Sequence, residues 1–190
     1  MRDLQLSRCK NLLHATSRLL HNHMPDWPLH KTICKILTAL LPRPSLSHKL
    51  GILFPSDAKI PEFIWFPCER KFEPSDWDES SLDEWEYAEV KQFLGKQPVR
   101  FELKSIRKNA LRGYDLDHAV DVHCRDAFML DGSTTNACVK HTTGGHSQYD
   151  WRGPIVVMSR IGKRIDPPFC QDVTAADLRV VVDYFVSYAE

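Results

Sequence analysis

The chain opens with leucines at 4, 6, 12, 13, 19 and 20 set among polar residues. Leu6, Cys9, Leu13, Thr16 and Leu20 keep a three-four spacing, which predicts a helix with a narrow apolar stripe over residues 3–23. Pro25 ends it. Asp26 is a good N-cap and Pro28 is tolerated in a first turn, so a second helix starts there. It runs to about Leu41, with Leu29, Ile33, Ile36, Leu37, Leu40 and Leu41 inward, until Pro42 and Pro44 stop it. Residues 1–42 therefore predict a helical hairpin, and residues 43–49 read as a linker.

Beyond residue 50 the pattern shortens. Leu50–Phe54 and Glu62–Cys68 are aromatic and branched, bounded by prolines at 55, 61 and 67, and predict two strands. Residues 73–80 are acidic and loop-like, and Leu82 to Leu94 predicts a helix closed by Gly95. Arg100–Ile106 alternates, with Phe101, Leu103 and Ser105 on one side. Leu116–Arg125 sets Val120, Val122 and Cys124 on one face and Asp117, Asp121 and His123 on the other. Residues 131–153 are rich in glycine and predict a loop. Pro154–Ser159 is the nearest to an uninterrupted apolar run and predicts the central strand. The last element is a helix: Thr174 and Asp177 form a capping-box-like pair ahead of a stripe of Leu178, Val181, Val182, Phe185 and Val186. The fold class expected is α+β, an N-terminal helical hairpin followed over residues 50–190 by a mostly antiparallel sheet with packed helices.

Composition is that of an ordinary globular protein, 43% hydrophobic and 26% charged. The zero net charge hides an uneven distribution. Residues 1–50 carry eight Lys/Arg against two Asp/Glu, and residues 51–97 carry five against eleven. The basic residues are scattered and form no run, which argues against nucleic-acid binding. No run of about 18 apolar residues exists, so no membrane span is expected. Arg8, Lys10, His14 and Arg18 interrupt any secretory signal core, which predicts an intracellular protein, nuclear or cytoplasmic. Its six cysteines, with no C-x-x-C, then read as reduced thiols.

One stretch carries a named chemistry. His30 and Cys34 lie four apart, so on a helix both project from one face, as two ligands of one metal must. Asp26-Trp27-Pro28-Leu29-His30-Lys31-Thr32-Ile33-Cys34 resembles the closing segment of a MYND-type zinc finger. Arg43-Pro44-Ser45, Ile52–Pro55, Phe63–Trp65, Asp131–Ser133, Trp151–Val157 and Asp177–Phe185 are similar to fungal proteins that carry this finger at their N-terminus. In that family seven cysteines and one histidine hold two zinc ions. The resemblance implies His30 and Cys34 as zinc ligands and zinc as cofactor. The partner it implies is a protein or short peptide, often proline-rich, and no catalysis comes with it. The chain departs from the family upstream. Only Cys9 precedes His30, and Arg18 and Asn22 stand where the nearest ligand pair belongs. His21, His23 or Cys9 would have to complete an irregular site with one zinc.

A second class of function is a small enzyme in the C-terminal domain. Asp115, Asp117, His118, Asp121 and His123 are the densest titratable cluster, and Asp121 with His123 has the spacing of a general-base or metal pair on one strand face. Asn136, Cys138 and His141 suggest a Cys–His nucleophile, for which proximity in sequence is no evidence of geometry. The enzyme reading requires Asp121, His123 and the 131–153 loop to converge on one concave pocket. Trp77, beside Asp76, Asp78 and Glu79, is a candidate contact for a basic partner.

Overall fold

The computed structural model describes residues 42–74, 82–95, 101–125, 131–161 and 169–188. The chain divides into two units, Met1–Pro42 and Arg43–Glu190. The hairpin expected over residues 1–42, with His30 and Cys34, lies outside the described residues, as does Trp77.

The second unit is built on strands β1 (His48–Phe54), β2 (Glu62–Pro74), β3 (Leu82–Ala88), β4 (Phe101–Lys108), β5 (Asp115–Arg125), β6 (Ile155–Ile161) and β7 (Phe169–Gln171). Its helices are α1 (Lys91–Leu94), α2 (Ala137–Thr142) and α3 (Ala175–Ser187). Six strands follow the order β3-β2-β1-β6-β5-β4, every pairing is antiparallel, and β7 pairs with β6. The α+β expectation, with its N-terminal helical hairpin, is corrected by this arrangement. The described residues are mostly antiparallel sheet, their helices span only 4, 6 and 13 residues, and none of them forms a helical hairpin.

The largest local departure is at Leu82–Leu94, where one helix was expected. Leu82–Ala88 is a strand, and helix is confined to the single turn α1. Glutamate and leucine favour helix, but β2 continues to Pro74 and offers a full pairing partner from Cys68↔Ala88 to Pro74↔Leu82. That long-range ladder overrides a propensity difference of a few tenths of a kcal/mol per residue. The same extension of β2 takes residues 73–74 out of the expected loop. The segment read as a linker is also partly strand, since β1 begins at His48.

Two cores form on the two faces of the sheet. Ile52 and Phe54 lie opposite Val157 and Ile155, and Val157 lies opposite Val122, so these residues share one face. Helix α3 covers it, with the rings of Phe54 and Phe185 edge to face at 5.2 Å. On the other face Phe66, Val156 and Met158 pack with Val90 and Leu94. β3 comes back against β7 on this side, where the Cys170 thiol donates to the Glu86 carbonyl oxygen at 3.3 Å. The tight point is Gly51. A Cβ there would stand 2.5 Å from Met158 Sδ and 2.6 Å from two Phe66 ring carbons. Gly51→Ala is expected to lower the free energy of unfolding by about 1–3 kcal/mol, by forcing two fully packed side chains off their rotamers. Urea unfolding of the variant checks this.

Helix α3 has the expected capping box, complete in both directions. Its buried face differs from the apolar stripe. Asp177, Val180, Val181, Asp183 and Phe185 are buried, whereas Leu178, Val182 and Val186 are only half-buried. The helix is turned by roughly one residue step, about 100°. The physical reason is polar. Asp183 accepts from buried Asn109 at 2.9 Å and from Arg179 at 2.9 Å, and Asp177 takes His118 at 2.6 Å. Paired carboxylates are thereby accommodated on the inner face.

Candidate functional site

The Asp/His cluster lies on β5, the second strand from the β4 edge. Alternation places Asp121 and His123 on the face opposite Val120 and Val122, as the sequence implies, but this face is not simply wet. Asp121 sits across from Met158 on β6 and Ser105 on β4, and is 6% exposed. Ser105 Oγ donates to Asp121 Oδ1 at 2.6 Å. Arg160 Nη2 reaches Ser105 Oγ at 3.0 Å, and Arg160 Nε lies 3.1 Å from Asp121 Oδ2. The carboxylate is therefore held by a hydroxyl and a guanidinium, an arrangement that satisfies a buried charge. Its partners, Ser105 and Arg160, were not singled out in the sequence. They come from neighbouring strands, and only the register brings them to Asp121.

His123 lies between Leu103 on β4 and Val156 on β6. Burial against them pushes its pKa below the ordinary histidine value, against the pull of Asp121 and with the help of Arg160. His118 behaves in the opposite way. Its Nε2 meets Asp177 at 2.6 Å, and this hydrogen bond, aided by the charges of Asp177 and Asp117, raises its pKa despite partial burial. The Asp177 carboxylate also receives the Thr174 backbone N–H at 2.7 Å, so His118 ties β5 to the first turn of α3.

These two histidines act on stability in adjacent pH windows. The raised pKa of His118 gives stability that is complete below about pH 6.5, the unfolded value, and is lost as pH rises through the folded pKa. The lowered pKa of His123 gives the reverse, stability present above about pH 6.5 and lost as pH falls toward its folded pKa. From about pH 6.5 upward, His118→Gln is expected to flatten the decline in stability and leave the acid limb in place. Urea midpoints measured across that range read this directly.

The loop expected at 131–153 contains helix α2, which the glycine-rich texture concealed. Asn136 caps it by accepting from Val139 N at 2.8 Å, while its amide donates to the carbonyls of Phe54 at 3.0 Å and Gly153 at 2.6 Å. A cavity of about 330 Å³ lies beside it, lined by residues including Thr135, Lys140, Gln148, Tyr149, Asp150 and Trp151. Asp150 pairs with Arg152 at 2.7 Å and accepts from Thr135 at 3.0 Å. Neither Asp121 nor His123 lines this cavity.

The Cys–His pair also separates by role. Cys138 is fully buried on the inner side of α2, and burial pushes its thiol up to about 12, so the thiolate a nucleophile requires is disfavoured near neutrality. His141 is exposed on the same short helix. Trp151 belongs to the core against Phe185 at 5.0 Å, and Trp65 receives the Arg43 guanidinium at 5.0 Å from its ring. Among the described residues, no three His, Cys, Asp or Glu side chains gather as a metal group. Among them, too, no helix is long and apolar enough to cross a membrane.

No family model, curated protein or solved structure matches the chain. The likeness to MYND-type fingers rests on the residues quoted for it above.

Proposed function

We propose that this is a non-catalytic intracellular protein related to fungal MYND-finger proteins, serving contact with a protein or peptide partner. The observation that carries the non-catalytic part is the engagement of the titratable groups. Asp121 is held by Arg160 and Ser105, His118 by Asp177, and the Cys138 thiol is buried away from the cavity. None of these groups lines the cavity beside α2, so a substrate held there would meet none of them.

Zinc fits the chain only in part. His30 and Cys34 supply two good donors, and a structural site requires four. Arg18 offers no lone pair at neutral pH and Asn22 is a poor donor, so His21, His23 or Cys9 would complete any site. Zinc binding is accordingly weak, and the stretch is a finger remnant. Metal analysis of the purified full chain tests this. Sub-stoichiometric zinc removed by mild chelation, with unchanged thermal stability, is expected. One zinc per chain that survives chelation and disappears in a His30→Ala, Cys34→Ala variant overturns the remnant reading.

A further inference from the structure

β4 ends the strand order, and among the described residues nothing pairs with its outer side. Such an edge presents backbone N–H and C=O groups that another strand can take up. Alternation divides its side chains between the two faces. Glu102, Lys104 and Ile106 lie on the α3 face, opposite Cys124, Val122 and Val120 of β5. Leu103 and Ser105 lie on the other face, opposite His123 and Asp121. Ile106 is buried, Glu102 and Lys104 are half-buried, and Leu103 is 50% exposed. Glu102 and Lys104 pair at 2.6 Å along the strand, and Lys104 lies 5.8 Å over the ring of Tyr188 at the end of α3. Both charges are thereby held at the rim of the sheet. The ladder to β5 is regular from Phe101 to Ile106 and shifts register only between Ile106 and Lys108.

We propose that this edge docks a second copy of the chain, β4 against β4, antiparallel about a two-fold axis at Leu103. Symmetry limits the registers to a few. Directly opposite residues of an antiparallel pair share one face of the continuous sheet, so the axis falls on a residue and not between two. An axis at Glu102 or at Lys104 sets that residue against its own copy, like charge on like, which is unfavourable. An axis at Ser105 or beyond draws Arg107 and Lys108 into the ladder, past the shift of register. An axis at Phe101 runs off the start of the strand. The axis at Leu103 avoids all of these.

In that register Glu102 stands opposite Lys104 of the second copy, and Lys104 opposite its Glu102. Together with the pair along each strand, the four side chains form a square of alternating charge on the α3 face. On the other face the two exposed Leu103 side chains cover each other. Each copy has then used its β4 edge, so assembly by this contact closes at two. The contact is short, so the dimer forms as protein concentration rises and separates on dilution.

Sedimentation velocity of the full chain over a concentration series tests this. Passage from monomer to dimer with rising concentration is expected, with a weaker dimer as salt screens the charges. Glu102→Lys leaves two lysines at the edge positions and Lys104→Glu leaves two glutamates, so each variant alone is expected to stay monomeric across the series. Mixed in equal amounts they are expected to dimerise, because every opposed pair is then Lys with Glu. Loss of fold cannot produce pairing on mixing. Leu103→Lys and Leu103→Asp repeat the design on the other face, at a half-exposed position: each alone monomeric, the mixture dimeric. Circular dichroism selects the variant pair that keeps the sheet. A monomer at every concentration for the unmutated protein, a dimer that persists in the single variants, or a mixture of folded variants that stays monomeric overturns the proposal.

Discussion

Phe185→Ala is expected to destabilise the protein by about 3–5 kcal/mol, the range for emptying an aromatic site in a closed core. Phe185 is fully buried. Its ring meets Phe54 edge to face at 5.2 Å and Trp151 at 5.0 Å, so it is the point where α3, β1 and the loop before β6 come together. Aromatic pairs of this geometry contribute about 0.5–1.5 kcal/mol beyond area burial, which places the cost in the upper part of the range. Relaxation around the hole is limited, because Phe54 and Val181 are themselves buried in the sheet and the helix. Phe185→Leu keeps most of the volume and is expected to cost about half as much. Urea unfolding of the two variants, with near-ultraviolet circular dichroism reporting Trp151, checks both values. Equal losses would show that the edge-to-face contacts, rather than the volume, set the cost.

Asn136→Ala is expected to cost about 3 kcal/mol, more than the loss of a helix cap. A cap alone is worth about 1 kcal/mol. The side chain also donates to two buried carbonyls, those of Phe54 and Gly153, and leaving such groups unpaired costs about 1–3 kcal/mol each unless water enters. Asn136→Asp separates the contributions. Aspartate is as good a cap, so if capping dominated, the variant would recover nearly all of the stability. The structure leads to the opposite expectation, since a carboxylate cannot donate to either carbonyl and repels both. Asn136→Asp is therefore expected to be at least as unstable as Asn136→Ala, and denaturant midpoints of the pair decide it.

Asn136 also illustrates how far the sequence could be read. In the sequence it stands beside Cys138 and His141 as a member of a candidate Cys–His constellation, which is a local idea. Its actual role joins the end of β1 to the entry of β6, with bonds across 82 and 17 residues of chain. Asp121 is similar. Its strand and its face follow from alternation, whereas Ser105 and Arg160, which decide whether it can act as a base, follow from the registers of β4 and β6. The enzyme reading depended on such distant relations. For the metal reading, His30 and Cys34 lie outside the described residues.

Patterns that close within a few residues were decided locally. The capping box of α3, the inward face of β5 and the apolar run of β6 are of this kind, because alternation and capping are properties of neighbouring residues. The central place of β6 between β1 and β5 followed from the same run, since a strand buried on both faces has no polar side to expose. Partner choice was decided by the assembled fold. It made Leu82–Ala88 a strand on β2 and turned α3 so that Asp177 and Asp183 face inward. Each of these outcomes depends on a hydrogen-bond or packing partner supplied by a remote segment. A pattern with a period of two or 3.6 residues carries no information about which remote segment that will be.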